Sequence, residues 1–178
     1  MKQLIFGTFI FLSAGIFAQT FTLKSNDVGG QATQKQVYNG FGCTGENSSP
    51  ELHWENSPAG TKSFAVTIYD ADAPTGSGWW HWLIFDIPVT TTSLQADAGD
   101  LTAKLAPESA IQSKTDFGTS GYGGPCPPAG KTHKYLVTVY ALDTEKLGLN
   151  SEATPALVGF MLEQHAIQKA SIVFYYEN

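Results

Sequence analysis

Asp70, Asp72, His81 and His133 are the residues whose types could do chemistry together, with Tyr122 and Tyr135 close to them in the chain. Asp70 and Asp72 open a stretch over residues 70–82 that also holds Pro74, Gly76, Gly78, Trp79, Trp80, His81 and Trp82. Apolar runs lead into it (64–69) and out of it (83–85). So much polar chemistry between two buried strands marks a turn that forms a site. A second stretch, 115–133, is rich in glycine and proline and ends on His133, with Tyr135 two residues on. Glycine lets the backbone approach a ligand without Cβ interference, and proline fixes the turns between glycines. A rigid loop of exposed N–H groups binds an anion without any charged side chain.

Three chemistries fit these residues. The first is an anion pocket, in which histidines, tyrosine hydroxyls and glycine-rich backbone donate while Asp70 or Asp72 orients the imidazoles. The second is a metal site, since two histidines and two carboxylates satisfy zinc. The third is acid–base hydrolysis by a histidine–aspartate pair. Spacing weighs against the last two. No HxH or HExxH pair sets ligands side by side, and Asp70 meets His81 only across a loop. A hydrolase wants an activated nucleophile, but no G-x-S-x-G elbow exists, Ser77 has no clear base, and Cys126 sits between prolines. The anion pocket leads, with no catalytic residue, cofactor or metal expected. His53 and His165 are read as ordinary structural histidines.

The elements that must position these groups belong to one domain, which 178 residues comfortably supply. Gly 18 and Pro 9, with many Thr, Val, Tyr and Phe, fit a loop-rich β protein. The net charge is −6 and arginine is absent. A nucleic-acid surface needs a basic field, so that class is excluded. Any phosphate would be held without guanidinium forks, and nothing draws the surface to acidic lipid. Residues 1–18 have the form of a signal peptide: Lys2, an apolar stretch over 4–17, then Ala18. The stretch is short for a span of ~20 residues, so cleavage near Ala18 is expected rather than an anchoring helix. The domain is then 19–178, periplasmic or secreted, with no integral membrane segment. Export permits a disulfide between Cys43 and Cys126, the one available pairing; two free thiols are the alternative.

Alternation predicts strands at 21–23, near Val37, at 52–54, 63–70, 82–87, 133–142 and 171–176. Pro88 ends the fifth of these, because proline cannot donate to a central ladder. Residues 39–50 and 89–115 read as loops with short turns or strands. Thr154 followed by Pro155 reads as the N-cap of a helix running to about Lys169. Leu157, Met161 and Ala166 or Ile167 should face inward. Period-two alternation puts Phe64, Val66 and Ile68 on one face with Asp70 and Asp72, His81 with Leu83 and Phe85, and His133 with Tyr135, Val137 and Val139.

Three runs carry a resemblance: Asp70-Ala-Asp-Ala-Pro74, Trp79-Trp-His81-Trp, and Gly121-Tyr-Gly-Gly-Pro125-Cys-Pro-Pro-Ala-Gly130 followed by His133-Lys-Tyr135. In this order they resemble the phosphatidylethanolamine-binding protein family, and more narrowly its bacterial Raf kinase inhibitor-like branch. The resemblance implies an all-β fold, a β-sandwich of two antiparallel sheets, here with a short helix near the C-terminus. It also implies a small anion pocket at one end for phosphate or a phosphorylated headgroup. That pocket would draw on Asp70, His81, Gly123, Gly124, Pro125, His133 and Tyr135, supported by Asp72, Pro74, Trp80 and Tyr122. Ala71 stands where the family has proline, and Lys134 where it often has arginine, which loses a planar fork. Eukaryotic members dock on kinases, a role not carried over to an exported chain. The expected function is a non-enzymatic, phospholipid-headgroup or anion-binding protein. The alternatives are a His/Asp hydrolase of small esters and an envelope protein-interaction or inhibitor domain.

Overall fold

The apolar runs on either side of residues 70–82 pair with each other, and this hairpin is the axis of the fold. The computed structural model describes residues 19–178; the expected signal peptide over 1–18 lies outside them. Ten strands and one helix follow in the order β1 (Thr22–Lys24), β2 (Asn39–Gly40), β3 (Cys43–Thr44), β4 (Leu52–Glu55), β5 (Ser63–Asp70), β6 (Trp79–Pro88), β7 (Ser93–Leu94), β8 (Ile111–Gln112), β9 (Thr132–Leu142), α1 (Pro155–His165) and β10 (Ala166–Glu177). A five-stranded sheet has the order β10-β9-β5-β6-β8, a three-stranded sheet the order β1-β4-β7, and β2-β3 forms a small ribbon. Every pairing between these strands is antiparallel. The expected sandwich of two antiparallel sheets is therefore present.

Alternation along β5 feeds two cores, one on each face of the large sheet. Phe64, Val66 and Ile68 meet Trp82, Ile84, Val137, Val139 and Phe174, and the small sheet closes over them with Phe21, Leu23, Leu52, Trp54 and Leu94. On the opposite face Ala65, Leu83, Phe85, Tyr140 and Leu142 pack against Val158 and Leu162 of α1. The layers are thus small sheet, large sheet and helix.

The helix begins as read from the sequence: Thr154 caps it, its side chain accepting from the Leu157 N–H, and Pro155 stands in the first turn. Its end and its inner face differ from expectation. The helix stops at His165, because Asp143 at the end of β9 claims that residue. The Asp143 N–H donates to the His165 carbonyl at 3.0 Å, and Nδ1 of His165 meets Asp143 Oδ1 at 2.8 Å. The chain then enters β10 at once and pairs with β9 from Ala166 to Glu177. The buried residues are Val158 and Leu162, whereas Leu157 is 44% exposed and Ile167 is 41% exposed. The strand expected near Val37 is the β2-β3 ribbon just beyond it. β6 starts at Trp79, earlier than expected, so it carries the tryptophan run as strand.

Candidate functional site

The site is built at one end of the large sheet, where β5 ends, β6 begins and β9 begins. Asp70 is the last residue of β5 and is buried. Its Oδ1 accepts from the backbone N–H of Asp72 at 2.8 Å and of Ala73 at 3.1 Å, which folds the turn back on itself. Its Oδ2 accepts from Nδ1 of His133 at 2.7 Å. One carboxylate thereby shapes the loop and fixes the ring of a histidine on another strand. Tyr135 pairs directly with Asp70 across β5 and β9, and its ring stacks on Phe174. Burial pushes the Tyr135 phenol well above its ordinary range, and the nearby Asp70 carboxylate pushes the same way. The hydroxyl therefore stays protonated.

His81 reaches the same floor through a break in alternation. Ile68 pairs with Trp82, but the next residue, Tyr69, pairs with Trp80. His81 is the extra residue of a β-bulge, a device that re-aims a side chain. The sequence expectation that His81 shares a face with Leu83 and Phe85 is thus corrected. Those two residues face α1, while His81 turns to Tyr135, ring centroids 5.1 Å apart at 83°. Its Nδ1 lies 2.7 Å from the Gly123 carbonyl. A carbonyl only accepts, so Nδ1 carries the hydrogen. Burial lowers the His81 pKa to about 4, against the opposing pull of that carbonyl and of Asp70.

Above this floor stands a cavity of 510 Å³ with largely apolar walls. Asp70, His81, His133 and Tyr135 line it, with Pro74 at the turn and Trp79, Phe117, Phe41 and residues 126–129 around them. Phe117 is the hub of the wall, 5.4 Å from Trp79, 5.8 Å from Phe41 and 5.4 Å from His81 between ring centroids. Asp116 places it: Asp116 Oδ2 accepts from the Trp80 N–H at 2.8 Å and the Asp116 N–H donates to the Trp80 carbonyl at 3.2 Å. Sequence reasoning missed Trp79, Phe117 and Phe41 as wall residues. Their signal was an aromatic residue at the start of each glycine-rich or tryptophan-rich run. Cys43 and Cys126 are joined in a disulfide, Cα atoms 6.0 Å apart, which pins the ribbon carrying Phe41 to the loop carrying Pro127.

Several residues expected at the pocket do other work. The Gly123 N–H donates to the His81 carbonyl at 2.9 Å, and the Gly124 N–H donates to Asn47 Oδ1 at 2.8 Å. Neither amide is free to hold an anion, so the loop orients His81 rather than cradling a ligand. Pro125 accepts from the Tyr38 N–H through its carbonyl. Glycine is required here by packing: a Cβ on Gly123 would lie 2.4 Å from Phe117, and one on Gly124 2.0 Å from the Gln36 carbonyl oxygen. Tyr122 points away into the inter-sheet core and donates to the Gln36 carbonyl at 2.9 Å. Trp80 packs on the helix side, against the α1 cluster. Asp72 is exposed and outside the cavity; its Oδ2 accepts from the Lys134 N–H at 3.0 Å, stapling the turn to β9. His53 and His165 lie in surface pairs with Glu51 and Asp143. Among the described residues no group of three or more His, Cys, Asp or Glu could hold a metal ion.

The geometry can be set beside known proteins. The sequence profile described as phosphatidylethanolamine-binding protein matches residues 24–177. The chain belongs to the phosphatidylethanolamine-binding protein family. It is 49% identical over 181 residues to the UPF0098 protein YbcL of Escherichia coli strain K12, covering 99% of each chain. To the UPF0098 protein YbhB of the same organism it is 47% identical over 152 residues, covering 84% of this chain and 96% of YbhB. The crystal structure of E. coli YbcL, described as a new member of the mammalian PEBP family, superposes with a TM-score of 0.87 at 50% identity, covering 89% of this chain and 98% of that one. A homolog from Chlamydia trachomatis superposes with a TM-score of 0.73 at 26% identity, covering 89% of this chain and 97% of that one. The mostly β fold with one short helix is shared with these members. No helix among the described residues is long and apolar enough to cross a membrane.

Proposed function

We propose that this chain is a non-enzymatic binding protein whose pocket takes a small anion, phosphate or a phosphorylated group. One observation carries the reading. Four polar side chains from three strands, Asp70, His81, His133 and Tyr135, converge on the floor of a mostly apolar cavity, the usual plan of a small-molecule site. Three of them offer polar atoms with no partner inside the protein. The second ring nitrogens (Nε2) of His81 and His133 and the Tyr135 hydroxyl make no hydrogen bond among the described residues, and none is a sealed, unpartnered atom. They open on the cavity. Among the described residues no serine hydroxyl or free thiol lines it, since Cys126 is disulfide-bonded, and the hydroxyl of Thr75, which does, donates to the Gly78 carbonyl; this favours holding a ligand over attacking one. Membership of a family named for a phospholipid supports the same class of ligand.

Export to the periplasm or beyond belongs to this proposal. It is supported by the apolar leader over residues 4–17 and by a disulfide, which persists in oxidising compartments. Mass spectrometry of the N-terminus of the native protein should find Gln19. Kinase docking has no support of its own here, and any protein partner in the envelope is a separate question. The pocket is tested by titrating inorganic phosphate into labelled protein and following the imidazole signals of His81 and His133. Both should shift at millimolar ligand. No shift, or ester turnover that disappears in His81→Ala, would replace this reading with the hydrolase.

A further inference from the structure

The two edges of the large sheet are finished differently. On one edge β8 is only two residues long, which leaves little to pair with. On the other edge β10 is 12 residues long, without proline, and from Gln168 to Glu177 its register is unbroken. Long, regular edges of this kind pair with other strands unless something blocks them. Part of β10 is blocked. The Tyr175 N–H donates to the Gly30 carbonyl and the Tyr175 carbonyl accepts from the Ala32 N–H, both at 2.9 Å. Backbone groups that face the same way recur at every second residue of a strand. Lys169, Ser171 and Val173 therefore also turn their N–H and C=O groups away from β9. Among the described residues these groups have no backbone partner.

Three features fit this open run to a second copy of itself. The first is its symmetry. The strap over residues 30–32 stops it at Tyr175, and the β-bulge between Ala166 and Gln168 stops it at Ile167. Ser171 lies midway. A two-fold axis there sets Ser171 opposite Ser171 and Lys169 opposite Val173 in antiparallel register, and the bulge of each copy falls opposite the strap of the other. The second is charge. The chain has a net charge of −6, so two copies repel over most of their surface, but residues 166–176 hold no acid and one base, Lys169. A lysine on an edge normally guards it. Here Nζ of Lys169 lies 5.2 Å over the Tyr140 ring and pairs with Glu163, so the charge is drawn back over its own sheet and met there. The third is apolar surface. Val173 and its β9 partner Leu136 are both exposed next to the open run, and a paired strand covers Val173.

We propose that this chain self-associates by antiparallel pairing of β10 with β10 of a second copy, centred on Ser171, which joins the two five-stranded sheets into one continuous sheet. The paired run ends before Tyr176, which lies opposite His133 in β9, so the pocket of each copy stays free. The inference is independent of the anion reading. An edge running from Lys169 to Val173 is smaller than the surface of a permanent dimer, so single and paired copies exchange reversibly.

Sedimentation and cross-linking of the intact protein test the pairing and its register. Over rising protein concentration the wild type should pass from monomer to dimer. Val173→Lys sets a lysine opposite each Lys169 and should weaken association at least about tenfold, since like charges facing each other across an interface are strongly disfavoured. Val173→Glu sets an acid there and should hold or tighten it. The site is exposed, so both variants should fold. Cross-linking reads the register directly, because the chain's two cysteines are bonded to each other and no free thiol competes. A residue on the two-fold axis faces its counterpart with Cα atoms about 5.5 Å apart, within reach of a disulfide. Ser171→Cys should form a covalent dimer with oxidised glutathione as the oxidant. Val173→Cys, whose counterparts lie about 14 Å apart, should not. A wild type that stays monomeric at every concentration overturns the proposal and leaves the edge to a strand of another protein. Cross-linking of Val173→Cys as readily as Ser171→Cys, or a dimer weakened alike by Val173→Lys and Val173→Glu, overturns it as well.

Discussion

His81 is a buried base kept neutral, and that has a consequence for the stability of the protein. In the unfolded chain the imidazole titrates near its ordinary value of 6.5, whereas in the fold its pKa is about 4. Between those values the unfolded state binds the proton and the native state does not. Stability contributed by the neutral ring is complete above the unfolded value and is lost as the pH falls toward the folded one. The gap corresponds to about 3 kcal/mol. Urea unfolding at pH 7 and pH 4 should show a loss of that order in the wild type. His81→Gln, which has no such proton to take up, should show a smaller acid loss; an identical one would assign the effect to other groups. At this scale the floor was legible: Asp70, His81, His133 and Tyr135 were readable from residue type and from the ends of apolar runs. The orientation of His81 was not. Period-two alternation assumes an unbroken strand, and one extra residue on β6, His81 itself, between the partners of Ile68 and Tyr69 reverses it. The glycines were legible as a special loop, but their N–H groups are spent on His81 and Asn47.

The strands with long alternation, β5 and β9, were legible almost to the residue, because each must satisfy two faces at once. The helix was legible at its start, where Thr154 and Pro155 act locally, and not at its end, where Asp143, the residue after β9, decides. The inner face of α1 is set by docking on the large sheet rather than by its own pattern, which is apolar on several sides. Val158 and Leu162 face Ala65, Leu83 and Phe85, while Leu157 and Phe160 are exposed. Leu162→Ala should therefore cost about 2–5 kcal/mol, the range for a truncated core leucine. Leu157→Ala, on the outer side, should stay within about 0.5 kcal/mol. Denaturant midpoints of the two variants decide which face is inner, and the reverse order would restore the face expected from sequence. Since α1 lies on the side of the sheet away from the pocket floor, phosphate affinity should survive in both folded variants.

On the scale of the whole molecule, the large sheet joins residues far apart in the chain: β5 lies between β6 and β9, and β10 closes the edge. That order was not legible without the family resemblance, because alternation says which face a residue occupies and nothing of which strand is its neighbour. The disulfide is the other long-range tie. It joins Cys43 and Cys126 across 83 residues, and the loop so closed contains β4 to β8 with the first two strands of the pocket. Cross-linking a loop of that length lowers the entropy of the unfolded chain by an amount worth about 4–5 kcal/mol in the chain-entropy picture. It also has a local task, because Phe41 is 73% exposed and leans on Phe117 as part of the cavity wall. Freed from Cys126, the β2-β3 ribbon is held to the wall only by the packing of Tyr38 and Phe41 on Phe117 and by backbone bonds such as that between Tyr38 and Pro125. The Cys43→Ser, Cys126→Ser double variant should thus lose stability by a few kcal/mol and bind phosphate more weakly. The floor residues should keep their arrangement, because Asp70, His133 and Tyr135 are tied to one another through β5 and β9 and not through the ribbon. Thermal unfolding with and without reductant, followed by the phosphate titration on the double variant, tests both halves. Stability lost with affinity unchanged would show that the wall carrying Phe41 does not contribute to holding the ligand.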